Sequence, residues 1–409
     1  MEEYKLSAGQ LKYSYFWYFG MTLVFSVCMN YDLRKSYVYW YGSILIYVLS
    51  YLLYSRFKLK IVVSPYISWM LIFILLSCCS LNWCISSTTA LEVIKDLIML
   101  TIILYFILIY IESKENAISV LASYFIAVFL DTIYLMVNID ISQIGNVMVG
   151  QGLIEGWNGN GIGFMTASGV MIGVFLFIAI ENRFIKLIVL LISFLLGYIT
   201  VFTGSRTAFL MLVVGLLLFF LLEKPKRIIR NVLVSAVLLY ISFYLIMNTS
   251  SLYAIIGIRL EGLFYLLSGK GKADSSALIR STFIRNGINW FKERPLLGYG
   301  INNYKELNTS ATGRFTYAHN NFVEIAVDLG IIGLLTYYSF IAFVITKLIK
   351  NLRDDLLYIF LLASLLVVLL CHYGSVWYYD MYQNLLLLIC SISVSRRFQE
   401  LMIRPMKEV

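Results

Sequence analysis

Residues 183–223 read RFIKLIVLLISFLLGYITVFTGSRTAFLMLVVGLLLFFLLE. Two apolar runs, 184–202 and 207–223, meet across the short polar turn TGSR at 203–206. A bilayer core near 30 Å needs about 20 apolar residues per helix, so these runs are a pair of membrane spans. Arg183 and Lys186 begin the first run, and Lys224, Lys226, Arg227 and Arg230 follow the second. Short connections rich in Lys and Arg stay on the cytoplasmic side, which places the TGSR turn on the outer side.

The same pattern extends in both directions. Further spans are expected near 14–30, 36–54, 61–79, 93–111, 117–138 and 159–180 on one side of the pair. Others fall near 231–248, 319–346, 355–372 and 380–395 on the other side. The chain therefore reads as an all-α polytopic membrane protein of about twelve transmembrane helices. Composition agrees: of 409 residues 60% are hydrophobic and 13% charged, with mean hydropathy +0.83. A soluble domain carries about 25% charged residues, so a soluble enzyme and a disordered chain are both excluded. The net charge of +9 is spread through short clusters between spans and is no nucleic-acid footprint.

Arg56, Lys58 and Lys60, then Lys347, Lys350 and Arg353, then Arg396, Arg397 and Arg404, extend the cytoplasmic set. Both termini are expected there, in the cytoplasmic membrane of a cell. Arg34 and Lys35 oppose the pattern weakly, and Glu112, Lys114 and Glu115 are nearly neutral. The lead MEEYKLSAGQLKYS lacks a small-residue cleavage site and reads as a cytoplasmic segment. Cys28, Cys78, Cys79, Cys84, Cys371 and Cys390 show no CxxC spacing and read as buried hydrophobes. The chain divides into helices 1–9 over 1–248, a large outer loop over 249–318, and helices 10–12 with a tail over 319–409.

That outer loop of about 70 residues is too long for a bare connector. SSALIRSTFIRNGINWFKERP within it offers Ser275 or Ser276 as N-cap and Pro295 as a stop, predicting an amphipathic helix over 276–293. Its apolar residues, Leu278, Phe283, Ile288, Trp290 and Phe291, are expected to lie against the outer membrane surface. GKGKADSS before it reads as a flexible turn.

Arginine on the outer side is informative, because positive charge is normally kept inside. Arg206 begins a helix, where unpaired N–H groups and the dipole favour an anion; its guanidinium adds a bidentate donor. Snorkelling to headgroups is the bland alternative. Arg280 and Arg285 share one helix but stand about 140° apart at 3.6 residues per turn, so only one is expected to face a given ligand, and the spacing does not choose between them. Arg314 follows the turn-prone TSATG. His319 and Asn320 open the tenth span, and a histidine there serves as anchor, general base or phosphate donor. Glu324 and Asp328 share a face of the same helix, and with Asp131 they are carboxylates inside spans, where such groups usually face a cavity or partner. GYGINNY at 298–304 is no dinucleotide fingerprint, and neither a Walker A motif nor metal-ligand spacing occurs.

Together these residues resemble the O-antigen ligases and the O-antigen or capsule polymerases. Pro295-Leu-Leu-Gly298-Tyr-Gly300, followed by His319-Asn320, Glu324, Gly330 and Gly333, is similar to that superfamily's signature. The Ser-Arg of TGSR resembles its other marker. The family's arginine lies four residues before a tryptophan; Arg280 matches it by offset, Ile284 stands in the tryptophan's place, and Arg285 is the rival. The likeness covers roughly the second half of the chain.

The resemblance implies metal-independent, cofactor-free, inverting glycosyl transfer from a polyprenyl-diphosphate-linked oligosaccharide on the outer membrane face. Arg206, with Arg280 or Arg314, would hold the diphosphate, and Arg285 would serve should it replace Arg280. His319 would act as base or phosphate donor, Asn320 would bind substrate, and Glu324 would orient the histidine. Tyr299, Tyr304 and Trp290 would stack on sugar. A polymerase would add a lipid-linked repeat unit as acceptor and work beside flippase and chain-length regulator proteins. A ligase would use another acceptor. Abundant Tyr, Ile, Lys and Asn suggest a low-GC, Gram-positive source, where lipid A ligases are absent, and favour a capsule or exopolysaccharide polymerase. A transporter is the competing class. Transporters usually show two related halves, whereas the long outer loop here lies in one half only.

Overall fold

The structure, a computed structural model, describes residues 8–58, 60–138, 159–223, 275–350 and 355–394, with isolated positions between 233 and 261. Apart from those isolated positions, the ninth run, the loop 139–158, the stretch 249–274 with its GKGKADSS turn, and the basic residues Lys224–Arg230, Arg353 and Arg396–Arg404 lie outside the described residues.

The described residues are helical, with no strand among them. The helices are α1 (Ala8–Met29), α2 (Tyr31–Lys35), α3 (Tyr37–Tyr54), α4 (Pro65–Cys79), α5 (Ser87–Tyr110), α6 (Lys114–Asn138), α7 (Gly159–Ala179), α8 (Arg183–Phe202) and α9 (Arg206–Glu223). They continue with α10 (Ser275–Glu293), α11 (Tyr304–Thr312), α12 (Asn321–Lys350), α13 (Leu356–Cys371) and α14 (Met381–Ser393). Every expected span among the described residues coincides with a helix. Among the described residues seven helices are long and apolar enough to cross a bilayer, and 14–29, 206–222, 356–371 and 381–393 form shorter apolar helices. The expected total of about twelve depends on counting those shorter helices as spans, together with the run 231–248.

Local chemistry sets the helix starts. Ser64 accepts from Ile67 N–H at 3.2 Å ahead of Pro65, and Asn182 accepts from Phe184 and Ile185 N–H at 2.9 and 3.1 Å. Asp355 and Asp380 do the same for α13 and α14, accepting from Leu357 N–H at 2.9 Å and Gln383 N–H at 3.0 Å. Each cap satisfies backbone donors that a helix start leaves open.

The chain forms two compact units. One comprises the described residues within 8–62, 105–138 and 159–205, and in it α1 packs on α3 and α6, and α7 on α6 and α8. Small residues permit this closeness: a Cβ on Gly173 would lie 2.1 Å from Ser193 Oγ of α8 and 2.8 Å from the Phe125 ring of α6. Asp131 of α6 accepts from Ser26 Oγ of α1 at 2.6 Å, a structural contact. The other unit, residues 63–104 and 206–399, holds α4, the start of α5, and α9 to α14. There α12 packs on α4 and α10, and α13 on α9 and α14. All six cysteines are free thiols.

The candidate site at the head of the twelfth helix

Within this second unit the turn 294–300 is locked onto α12. Gly330 interrupts that helix with φ 65° and ψ −161°, and the N–H groups around the break are taken up by the turn. Ile331 N–H donates to Pro295 O at 2.8 Å, while Tyr299 and Gly300 N–H donate to Val327 and Asp328 O at 2.9 and 2.8 Å. A Cβ on Gly330 would lie 2.3 Å from Leu296 O, and one on Gly298, at φ +64°, would lie 2.4 Å from Val327 O. Only glycine fits either place. Asp328 completes the lock, its carboxylate accepting from Asn302 N–H at 2.6 Å and Tyr304 N–H at 2.8 Å. Glu324 and Asp328, expected to face a cavity or a partner, are thus buried brackets for backbone: Glu324 likewise accepts from Ala318 N–H at 2.6 Å.

That bracket leads directly to His319. Glu324 does not reach the imidazole; it holds the peptide one residue before it. His319 precedes α12 rather than opening it, in the left-handed region with φ 54°, a strained conformation for a non-glycine residue that recurs at functional sites. Asn320 caps α12, accepting from Val323 N–H at 3.0 Å. The His319 ring lies 4.2 Å from the Tyr317 ring and stacks on Phe283 at 6.3 Å and 10°. Its Nδ1 is buried and has no hydrogen-bond partner among the described residues. Such an orphan calls for an explanation.

Arg280 lies one helical turn before Phe283 and on the same face. Burial first, and then the Arg280 charge, push the His319 pKa down to about 3. Arg280 is therefore the arginine brought to the histidine. Arg285 is exposed on α10, and Arg314 is exposed in the segment before His319, its backbone O accepting from Asn308 Nδ2 at 2.8 Å.

Arg206 is the first residue of α9 and half-buried. Its neighbour Thr207 abuts Gly374, where an added Cβ would lie 2.8 Å from the threonine side chain. His372 O in the same turn accepts from Asn321 N–H at 2.8 Å. Thr207 and Asn321, next after Arg206 and two after His319, thus both contact the turn 372–374.

The expected stacking rings are differently placed. Tyr304 is fully buried, its hydroxyl donating to Phe283 O at 2.8 Å, and Trp290 packs edge-on against it at 5.4 Å. Tyr299 is buried, donating to Glu293 at 2.7 Å beneath the Arg294 guanidinium. These rings form a small core with Phe283, Ala318 and Val327. Of the apolar face expected on the membrane, Phe283 is in that core, with Trp290 and Phe291 packed against it, while Leu278 and Ile288 are exposed.

Sequence reading missed a second polar cluster. Asn321 Nδ2 donates to Tyr338 Oη at 2.9 Å, and Tyr338 lies 3.0 Å from His372 Nδ1. His372 Nε2 lies 2.5 Å from Gln383 Oε1, and Gln383 Nε2 donates to Tyr337 Oη. The only signal for it was polar residues inside apolar runs, with partners too far apart in sequence to pair by spacing.

Among the described residues no His, Cys, Asp and Glu group could hold a metal ion. Residues 191–338, which include Arg206, Arg280 and His319, match the family described as O-antigen ligase. No curated protein matches the chain.

Proposed function

We propose, for a chain that is a member of the O-antigen ligase/polymerase superfamily, the activity of a polysaccharide repeat-unit polymerase. The donor is a polyprenyl-diphosphate-linked oligosaccharide, and the acceptor is another lipid-linked repeat unit at the outer face of the cytoplasmic membrane. The pairing of Arg280 with an orphaned, strained His319 inside the matched segment carries this reading.

In a single inverting displacement the acceptor hydroxyl attacks the anomeric carbon. A new C–O bond forms there as the bond to the diphosphate breaks, and the lipid diphosphate leaves with the electron pair. Arg280 and Arg206 take up the charge that develops on it, and removing such a donor typically costs about 10²–10³ in rate. His319 receives the proton of the hydroxyl. Its low basicity in the free protein arises from burial first and then from Arg280, so a diphosphate beside that arginine offsets the second, smaller contribution and strengthens the base to that extent. Donor binding thereby prepares acceptor activation.

Ligase chemistry is the second reading, favoured by the description of the matched family. Reconstituted protein given the lipid-linked repeat unit, with and without a non-repeat glycan acceptor, separates the two. A ladder from repeat unit alone supports the polymerase; a single transfer only to the added acceptor rejects it.

A further inference from the structure

The turn Arg294–Gly298 carries two features that disagree with life in water. Leu296 is 64% exposed and Leu297 42% exposed, yet four consecutive backbone carbonyls are each matched to a donor. Arg294 O accepts from Gly298 N–H at 3.2 Å, Pro295 O from Ile331 N–H at 2.8 Å and Leu296 O from Ile332 N–H at 3.5 Å. Leu297 O accepts from the Trp83 indole N–H at 3.1 Å. Paired carbonyls lower the cost of taking the turn out of water, while the Leu296 and Leu297 N–H groups, which meet no acceptor among the described residues, hold the backbone itself within reach of headgroups and water.

Two spans fix the depth. Trp83 directly follows the candidate span Pro65–Asn82, the position where an amphipathic indole marks a membrane interface. On α12 the turn meets the helix at Ile331 and Ile332, which with Leu335 are exposed within the span Asn321–Lys350. The exposed Lys292 precedes the leucines, as a charge placed to reach headgroups does.

The geometry points to an interfacial wedge: the backbone of residues 295–297 lies at the headgroup level of the leaflet on the His319 side, and the Leu296 and Leu297 side chains reach into its acyl chains. A segment that reads as part of an aqueous loop is thus a membrane-inserted element, pinned to α12 by the Gly330 break.

Spin labels at Leu296→Cys and Leu297→Cys, in the full chain with its own cysteines replaced and in phosphatidylglycerol–phosphatidylethanolamine liposomes, test this. Accessibility to oxygen relative to a water-soluble nickel chelate is compared with Leu335→Cys in the span and Ser310→Cys, an exposed position on α11. The ratio at 296 and 297 is expected to match that at 335 and exceed that at 310 several-fold. A ratio equal to that at 310 overturns the wedge. Where labelled variants fail to reconstitute, the unaltered chain with a photoactivatable acyl-chain phospholipid decides. Adducts on 296–297 support the proposal, and adducts on 335 without any on 296–297 overturn it.

Discussion

Arg280 and Arg285 differ in what they face rather than in chemistry, and the difference is measurable. Arg280→Ala is expected to lower glycan transfer by about 10²–10³, while Arg285→Ala stays near wild type; product gels of reconstituted variants check both. His319 is neutral in the free protein down to about pH 3. The pH profile of kcat/KM, which reports the free enzyme, is therefore expected to show no acid limb near 6.5. The sign for stability follows: with the folded-state pKa below the unfolded value, this residue's contribution is complete above about pH 6.5 and declines as pH falls toward 3. His319→Gln keeps a hydrogen-bonding side chain but cannot take a proton. Loss of transfer in that variant is expected for a base, and near-normal transfer would assign the histidine to phosphate donation instead.

At the scale of elements, the lock between the turn 294–300 and α12 carries the site. Gly330→Ala forces a Cβ to 2.3 Å from Leu296 O at φ 65°, and a strained backbone position costs of order 1–3 kcal/mol by itself. A lowered thermal midpoint in detergent, with transfer lost in parallel, is the expected outcome. Asp328→Ala leaves the Asn302 and Tyr304 N–H groups without their acceptor, each an orphan costing about 1–3 kcal/mol, and should destabilise at least as much. Helix positions were legible in the sequence because apolar runs and caps are local: α8, α9 and α10 begin and end within a few residues of expectation. The lock was not, because Asp328 looks like an intramembrane ligand until the backbone it brackets, 24 residues upstream, is brought beside it. For the same reason Tyr304 read as a sugar platform. An aromatic ring declares its burial only through its tertiary neighbours.

At the scale of the whole molecule, composition alone identified a helical membrane protein, and the described helices agree. Within one unit the PLLGYG turn comes to lie on the Gly330 break of α12, about ten residues beyond the His319-Asn320 pair at that helix's head, which periodicity could not have arranged. The choice of Arg280 over Arg285 also needed the fold, since a 140° separation says only that they diverge. The basic clusters set an expectation for sidedness: in a chain whose six free cysteines are replaced, a membrane-impermeant maleimide is expected to label Arg314→Cys in intact cells and to leave a cysteine added after Val409 unlabelled. The reverse pattern would place the site on the cytoplasmic side and remove the lipid-linked donor from reach.

The central claim is that Arg280 and Arg206 hold a diphosphate leaving group beside His319. Its most direct test is gel analysis of products from purified protein in liposomes, given one lipid-diphosphate-linked repeat unit in the presence of EDTA. Wild type is predicted to give a ladder of multimers, and Arg280→Ala and Arg206→Ala to leave the single unit unextended although folded. A full ladder from both variants, or none from wild type with any acceptor supplied, would contradict the account.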